Sequence, residues 1–416
     1  MRRRSWFCTI IQADPWEDVY KRQMYPCVTV DLEKLGHNVR SLKRLCGQYG
    51  IEILGITKVF GGELPIASVL VENGLHMLGD SRIENIKKYR ALPCEKWLIR
   101  MPGVSEARET VRYCDVSLNS ELQTLKALDR EAKRQKKIHK AVLMADLGDL
   151  REGCIEESDL AECAEFARQA EGLELYGLGT NLTCFSFVQP DQEKLSRLVQ
   201  LARKYGAGTY VSGGNSATIQ LMLQGGIPEG VNSLRLGEAL LFGRERSGYQ
   251  YLPDMYNDAF CVEAEVIECK EKPSMPFGTI GRDSYGKRPE FTDRGWRMRA
   301  ICAMGRQDVD PETMWPEDEG IEIVGASSDH FVVDITDAAR RYEVGDCIRF
   351  RLGYFAAMRA FTSRYVKKKY VGGIHERYLA GRFNYIYAGY RENSGLQHAG
   401  KGSGAAYPPG NGASGI

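Results

Sequence analysis

The feature that most constrains this fold is a repeated alternation of short β-type runs with longer amphipathic helical runs. Eight β-type runs occur between Tyr25 and about Glu245: EILGITK, HMLGDSR, KWLIRMP, CDVSLNS, KAVLMADLG, LELYGLGTNLT, GTYVSGGNS and NSLRLGE. Segments such as SELQTLKALDREAKRQKK lie between them, with apolar residues at three- and four-residue spacing. This alternation predicts parallel β-α-β units.

Eight strands with eight helices predict a TIM-type (β/α)₈ barrel over residues 24–246, with the active site at the carboxyl ends of the strands. A doubly wound open sheet is the structural alternative. Its GxGxxG phosphate fingerprint is missing after the first strand, which favours the barrel.

The pattern changes after Gly248, where strands follow one another without helices: FCVEAEVIECK, WRMRAICAMG, GIEIVGASSDHFVVDI and VGDCIRFRL. Period-two alternation predicts a separate antiparallel β domain over residues 247–370. Residues 1–23 have no sustained apolar run or cleavage site, so we expect a non-native or disordered leader. Residues 371–416 end in a Gly, Ser, Ala and Pro mixture, which predicts a disordered tail.

Composition narrows the possible partners. The 56 basic and 55 acidic residues leave a net charge of +1, which gives no global field for nucleic acid or an anionic membrane. No stretch approaches the length of a membrane span. The twelve cysteines are scattered, with no CxxC pair and no His/Cys cluster at metal-ligand spacing. We therefore expect a cytoplasmic protein with reduced thiols, a small-molecule partner and no metal site.

Polar residues lie at or just past the carboxyl ends of seven of the eight predicted barrel strands. The first, Lys58, ends the apolar run IEILGIT. A lysine there can extend into water, but lysines in dry pockets are also recruited for Schiff-base chemistry. Because barrel strands end at one face, these residues predict one site. They are Lys58, Asp80, Asn119, Arg151, Asn181, Asn215, Ser216 and Arg235.

The stretch VSGGNSATIQLML suggests an anion site, because backbone N–H groups and a hydroxyl would converge between a strand and a helix. Ser216 is equally explained as an ordinary helix cap. The next strand, in NSLRLGEALLFG, adds a glycine turn at the same end. Phosphate sites in such barrels are commonly built from the loops after the seventh and eighth strands, which favours phosphate.

Together these elements resemble the fold-type III pyridoxal-phosphate enzymes, and GRQDVD, GASSDH and FTSRYV resemble their alanine/ornithine racemase branch. The resemblance covers Tyr25 to Lys369. It implies pyridoxal 5′-phosphate as cofactor, a homodimer, and an isomerase that interconverts L and D amino acids by removing and returning the Cα proton. Ornithine or another basic amino acid is the expected substrate. The alternatives are an alanine or serine racemase, a D-amino-acid aldolase or dehydratase, and a non-catalytic carrier of the cofactor.

The resemblance also implies roles for individual residues. Lys58 would hold the cofactor aldehyde and move the proton at Cα. Asn215 and Ser216 would grip the cofactor phosphate, with Gly237 near it on the following turn.

Three more positions match on the side of the cofactor ring. Arg235 would face the pyridine nitrogen, and an always-charged guanidinium there would keep that nitrogen unprotonated and weaken the cofactor as an electron sink. That suits racemisation over transamination. Arg151 would lie near the cofactor phenolate and the substrate carboxylate. Asn181 occupies the position where alanine racemases carry a histidine stacked beneath the ring.

The second acid/base is the main departure from the family. Arg306 stands where alanine racemases carry a β-domain tyrosine from the partner subunit, and arginine is effectively never deprotonated. Arg306 could instead orient a carboxylate or a water. Candidates for the missing group are His330, Asp308, Tyr285 and Tyr354, with Tyr354 lining up with a tyrosine near the site entrance. An acidic contact for a substrate δ-amine, with turn chemistry as the alternative, could come from Asp283, Asp308, Asp310 or Asp329.

Overall fold

The computed structural model describes residues 25–372, except 283–285 and 287. The predictions for the leader and for the tail beyond residue 372 therefore lie outside the described residues, as do Asp283 and Tyr285. The described chain begins with strand β1 (Cys27–Asp31) and helix α1 (Leu32–Gly47). No helix in this part of the chain has both the length and the apolar character to cross a membrane.

Eight parallel strands then close into a barrel, which confirms the predicted architecture. Closure is direct, because the first and last of these strands pair from Glu52 opposite Ser233 to Gly55 opposite Leu236. Each predicted β-type run contains one strand. They are β2 (Glu52–Ile56), β3 (Met77–Asp80), β4 (Glu95–Leu98), β5 (Val116–Asn119), β6 (His139–Met144), β7 (Leu173–Gly179), β8 (Tyr210–Ser212) and β9 (Ser233–Leu236).

Each barrel strand is followed by a helix, as the sequence pattern predicts. The helices turn their apolar faces toward the strands, and most of their charged residues lie outside the core, although Asp129 and Glu238 are buried. They are α2 (Leu64–Glu72), α3 (Ile83–Lys88), α4 (Ala107–Tyr113), α5 (Leu122–Gln135), α6 (Glu157–Gln169), α7 (Gln192–Lys204), α8 (Thr218–Leu223) and α9 (Glu238–Phe242).

The second half forms a separate, mainly antiparallel sheet, also as predicted. Its strand order is β12-β15-β10-β11-β14-β13, and the run GIEIVGASSDHFVVDI is split by a turn into two strands. Its elements are β10 (Phe260–Pro273), β11 (Trp296–Cys302), β12 (Met314–Pro316), β13 (Glu322–Ala326), β14 (Phe331–Asp334), β15 (Cys347–Leu352), α10 (Tyr354–Thr362) and β16 (Lys367–Val371).

Strand β1 also joins this second sheet. It pairs antiparallel with β10 and parallel with β16. The range predicted for the barrel, 24–246, therefore begins with a strand of the other sheet. The strand is short and its partners lie more than two hundred residues away, which a local pattern does not show.

Two contacts explain where the site lies. The barrel interior is filled by large side chains, with the Trp97 and Tyr210 rings 4.6 Å apart and both residues buried. At the carboxyl ends of the strands, helix α10 of the β domain packs against the turn that follows β2. A packed interior leaves the strand ends as the place for a site.

A buried histidine makes the stability of the barrel depend on pH. His139 is almost fully buried at the start of β6, and its Nε2 lies 2.8 Å from the Ser117 hydroxyl. Burial lowers the pKa of His139 to about 4, although a backbone hydrogen bond at Cys114 opposes the shift. The imidazole is therefore neutral in the folded protein at pH 7.

Acid should therefore destabilise the fold through this one residue. His139 takes up a proton near pH 6.5 in the unfolded chain but only near pH 4 in the folded chain. The contribution of neutral His139 to the free energy of unfolding is therefore complete above pH 6.5 and is lost as the pH falls from 6.5 to 4. At pH 5 the loss should reach about 2 kcal/mol. His139→Gln should show a smaller drop in the free energy of urea unfolding between pH 7 and 5. An equal drop in both proteins would contradict this.

Candidate active site

An open cleft lies at the carboxyl ends of the barrel strands, with about 590 Å³ of free space including solvent at its mouth. It brings together all seven barrel residues proposed from the sequence for the cofactor and substrate, and Tyr354 of the β domain. Asp80 and Asn119 are buried at strand ends but do not line it. The cleft is lined by Ile56, Lys58, Ile99, Arg151, Glu152, Asn181, Cys184, Asn215, Ser216, Arg235, Gly237, Glu238, Arg246 and Tyr354.

Lys58 enters the cleft from a tight turn after β2. Thr57 anchors the turn by donating its hydroxyl to Asp80 Oδ2 at 2.6 Å. A 3₁₀ turn over Lys58–Phe60 then ends at Gly61 and Gly62, both in the left-handed region, and a Cβ on Gly62 would lie 2.6 Å from the Asn85 carbonyl oxygen. The ammonium lies 5.7 Å from the centre of the Tyr354 ring. No carboxylate of the described chain pairs with it, so the amine is available to a ligand.

Arg235 is a buried cation held by neutral acceptors. Its Nη1 donates to the Ser212 hydroxyl and its Nη2 to the Thr180 carbonyl, both at 2.6 Å. Burial lowers the pKa of this guanidinium, which nevertheless stays charged because arginine begins from so high a value. A Cβ at Gly179 would lie 3.4 Å from Nη1, so the glycine leaves room for the guanidinium. No described carboxylate forms an ion pair with it.

The loop after β6 carries Arg151 together with an acidic partner. Arg151 donates from Nε and Nη2 to the two carboxylate oxygens of Glu152, whose side chain is only 6% exposed. Burial lowers the pKa of Arg151, but the hydrogen bonds and charge of Glu152 raise it by more, so the net pKa is raised. Sequence reasoning missed Glu152. The only signal was an acidic residue next to Arg151 in LREG.

A second aspartate joins this loop to the next one. Asp149 is buried, and its carboxylate accepts hydrogen bonds from four backbone N–H groups of the loop after β7, at 3.0 to 3.4 Å. The donors are those of Cys184, Phe185, Ser186 and Val188. The loops that carry Arg151 and Asn181 are thus held as one unit.

The residues predicted to bind a phosphate differ in their own hydrogen bonds. Asn215 Oδ1 accepts from the Ala217 N–H at 2.9 Å and its Nδ2 donates to the Leu182 carbonyl at 2.8 Å, so this side chain shapes the turn. Ser216 Oγ accepts from the Ala239 N–H at 3.2 Å and keeps its own proton free. Within the described chain, the backbone N–H groups of Ser216 and Gly237 donate to no acceptor.

Asn181, which the resemblance predicts to lie beside the cofactor ring, also lines the cleft. Its Oδ1 accepts from Asn215 Nδ2 at 3.3 Å, while its Nδ2 is buried and has no partner. A buried amide without an acceptor is costly, so a ligand that accepts a hydrogen bond here would stabilise the site.

Of the β-domain candidates, Tyr354 lines the cleft, whereas Arg306, Asp308 and His330 lie elsewhere in this chain. Arg306 donates to Glu312 and to the Ala326 carbonyl. Both oxygens of Asp308 are occupied, by the Gly305 N–H at 3.2 Å and the Ser363 hydroxyl at 2.8 Å. His330 is exposed in the turn between β13 and β14.

These contacts fit a phosphorylated aldehyde such as pyridoxal phosphate. Lys58 offers an amine without a carboxylate partner, and Ser216 and Gly237 offer free donors for phosphate oxygens. Arg235 offers a fixed cation deep in the cleft. Among residues 25–372, apart from the four that are not described, no group of three or more His, Cys, Asp or Glu side chains is arranged to hold a metal ion.

Known proteins are similar in sequence to this chain. The family described as alanine racemase, N-terminal domain, matches residues 30–245. An ornithine racemase from Acetoanaerobium sticklandii is 42% identical over 351 residues, covering 83% of this chain and 99% of that protein. A lysine racemase from Thermotoga maritima is 38% identical over 354 residues, with the same coverage of both.

Solved structures agree on the fold at lower identity. An alanine racemase from Clostridium difficile 630 superposes with a TM-score of 0.64 at 18% identity, covering 85% of this chain and 97% of that one. One from Bartonella henselae with covalently bound pyridoxal phosphate gives 0.62 at 18% identity, covering 83% and 99%. The chain therefore belongs to the alanine racemase family of amino-acid racemases.

Proposed function

We propose that this chain is a pyridoxal 5′-phosphate-dependent racemase of basic amino acids, with ornithine or lysine as substrate. One observation carries the proposal: a lysine without a carboxylate partner, a buried arginine and a wall of free donors share one cleft. The substrate assignment draws on relatives named ornithine and lysine racemase at 42% and 38% identity.

When bound, the cofactor would withdraw electrons from Cα of the substrate and so make its proton acidic. Lys58 Nζ takes or returns that proton on one face. Arg151 orients the substrate carboxylate, since its guanidinium is held in place by Glu152. Arg235 keeps its positive charge deep in the cleft and would face the ring nitrogen of a bound cofactor.

On the opposite face of the substrate Cα, the second acid/base would come from another copy of the chain. Large apolar side chains form an exposed rim on the loops after β6 and β7, the loops that carry Arg151 and Asn181. Such a rim suits burial by a partner, which supports a homodimer. The rim consists of Leu150, Ile155, Phe185 and Phe187.

Among the β-domain candidates that lie outside the cleft, the contacts favour His330 as the second acid/base. Its side chain is exposed, whereas both oxygens of Asp308 are engaged within the domain. Arg306 would then orient a carboxylate or a water. The same loops carry Asp310, Glu312 and Asp329, so a partner β domain would bring acidic groups toward a substrate amine.

The alternatives have less support. A non-catalytic carrier usually ends at the barrel, whereas this chain continues into a second sheet and matches two racemases over 99% of their lengths. Alanine and serine would make no use of the acidic loops. We further propose a cytoplasmic location, since eleven free cysteines in the described chain suit a reducing compartment.

A panel of amino acids tests the reaction and the substrate together. Optical rotation of L-ornithine, L-lysine, L-alanine and L-serine should decay with the purified holoenzyme, at least about tenfold faster for the two basic substrates. Lys58→Ala should lower the rate by at least about 10³-fold and abolish the visible absorption of a lysine-bound cofactor. Lys126→Ala, on an exposed position of α5, is the control. A wild-type enzyme that racemises no amino acid would refute the proposal.

The pairing of Arg151 with Glu152 makes a separate prediction. Glu152→Gln removes the carboxylate charge but keeps the side-chain shape, so Arg151 loses the partner that orients it. We expect KM for the amino acid to rise about tenfold, with a smaller change in kcat, and Glu152→Asp to restore part of the loss. Steady-state kinetics in both directions provide the measurement. An unchanged KM would show that Glu152 does not act through Arg151.

Deuterium incorporation tests the second face. In D₂O, His330→Ala should slow Cα exchange of one enantiomer by about 10²-fold or more and that of the other much less. His76→Ala, an exposed residue before β3, serves as the control. Equal losses for both enantiomers, or no loss, would rule His330 out as a one-face acid/base.

A further inference from the structure

Arg246 is a cleft residue to which neither the family resemblance nor the proposed reaction gives a role. It follows α9 in the turn after the barrel, and its backbone N–H donates to the Ser216 carbonyl at 3.3 Å. Its side chain lines the cleft with Ser216, Gly237 and Glu238 and is only 19% exposed. Its Nε is buried and has no hydrogen-bond partner in the described chain.

The charge around Arg246 is not balanced. Glu238 is buried, and one of its oxygens already accepts from Arg244 Nε at 3.1 Å and Nη2 at 2.5 Å. Arg246 Nη1 lies 3.6 Å from the other oxygen, beyond hydrogen-bond distance. One carboxylate thus serves two guanidinium groups. Since a half-buried charge is costly without a partner, an anionic ligand would stabilise this arrangement.

The turn that carries Arg246 is held rigidly in place. The Glu245 carboxylate accepts hydrogen bonds from the N–H groups of Ser247, Gly248 and Gln250, at 2.6 to 3.1 Å. Ser247 Oγ donates to the Ala217 carbonyl at 2.8 Å, which ties the turn to the segment that contains Ser216. The backbone that carries the guanidinium is therefore fixed next to the segment of Ser216, and the Arg246 side chain lines the same cleft as Ser216 and Gly237.

We propose that Arg246 is a phosphate-binding residue, whose guanidinium supplies a full positive charge to a dianionic phosphate monoester held by Ser216 and Gly237. The inference rests on the proposed function and deepens it, because the monoester is the phosphate group of the cofactor. Arg246 sits on the wall formed after β8 and β9, whereas Arg151, the residue assigned to the substrate carboxylate, comes from the loop after β6. Neutral donors alone would leave a phosphate dianion uncompensated, and Arg246 provides the compensation.

Two ligands that differ only in the phosphate provide the test. Apoenzyme is titrated with pyridoxal 5′-phosphate and with pyridoxal, and dissociation constants are read from protein fluorescence. Arg246→Met should weaken pyridoxal 5′-phosphate binding about 10- to 100-fold while changing pyridoxal binding less than about twofold. Inorganic phosphate should compete with pyridoxal 5′-phosphate in the wild-type protein. The dissociation constant of phosphate from this competition should be at least about tenfold higher in Arg246→Met.

Matched variants separate this role from structural damage. Arg244 also pairs with Glu238 but does not line the cleft. Arg244→Met should therefore change the dissociation constants of both ligands less than about threefold. Arg246→Lys should retain part of the difference between the ligands, because it keeps the charge. Equal weakening of both ligands by Arg246→Met would overturn the inference, as would a higher KM for the amino acid with unchanged cofactor affinity. A wild-type protein that binds neither ligand would instead overturn the proposed function itself.

Discussion

The rest of the site depends on the two hydrogen bonds that hold the buried guanidinium of Arg235. A cation inside a barrel is tolerated only if its donors are satisfied, and here the Ser212 hydroxyl and the Thr180 carbonyl satisfy two of them. The remaining charge is not cancelled by any described carboxylate in direct contact. Gly179 leaves the space, and the aromatic packing below closes the barrel, so the guanidinium can only face the cleft.

Around that fixed charge, the cleft is built as a receptor for an anion. Four cationic side chains and two acidic ones line it, an excess of two positive charges. The two carboxylates are buried, and each is committed to arginine: Glu152 to Arg151, and Glu238 to Arg244 and Arg246. Lys58 stays outside these pairs. The acidic groups thus orient cations without neutralising the lysine that the chemistry requires.

Much of this could be predicted from the sequence because barrel strands and their polar ends follow local patterns. Alternating β-type and helical runs predicted all eight strands, and the polar residues at or after the strand ends included Lys58, Arg151 and Arg235, which line the cleft. Strands β1, β12 and β16 and helix α10 were missed, since their contacts are distant in sequence or their runs are short. Glu152 and Arg246 were missed for a related reason: their roles come from pairing and burial, which periodicity does not show. The second acid/base stays a prediction, because it would come from another copy of the chain.

We propose that Arg235 determines the chemistry of a bound cofactor by keeping its ring nitrogen unprotonated. The most direct measurement is the ¹⁵N NMR signal of that nitrogen in holoenzyme reconstituted with ring-¹⁵N pyridoxal 5′-phosphate. We expect a resonance in the range of an unprotonated pyridine nitrogen, unchanged across the pH range in which the enzyme is folded. A resonance in the pyridinium range would contradict it.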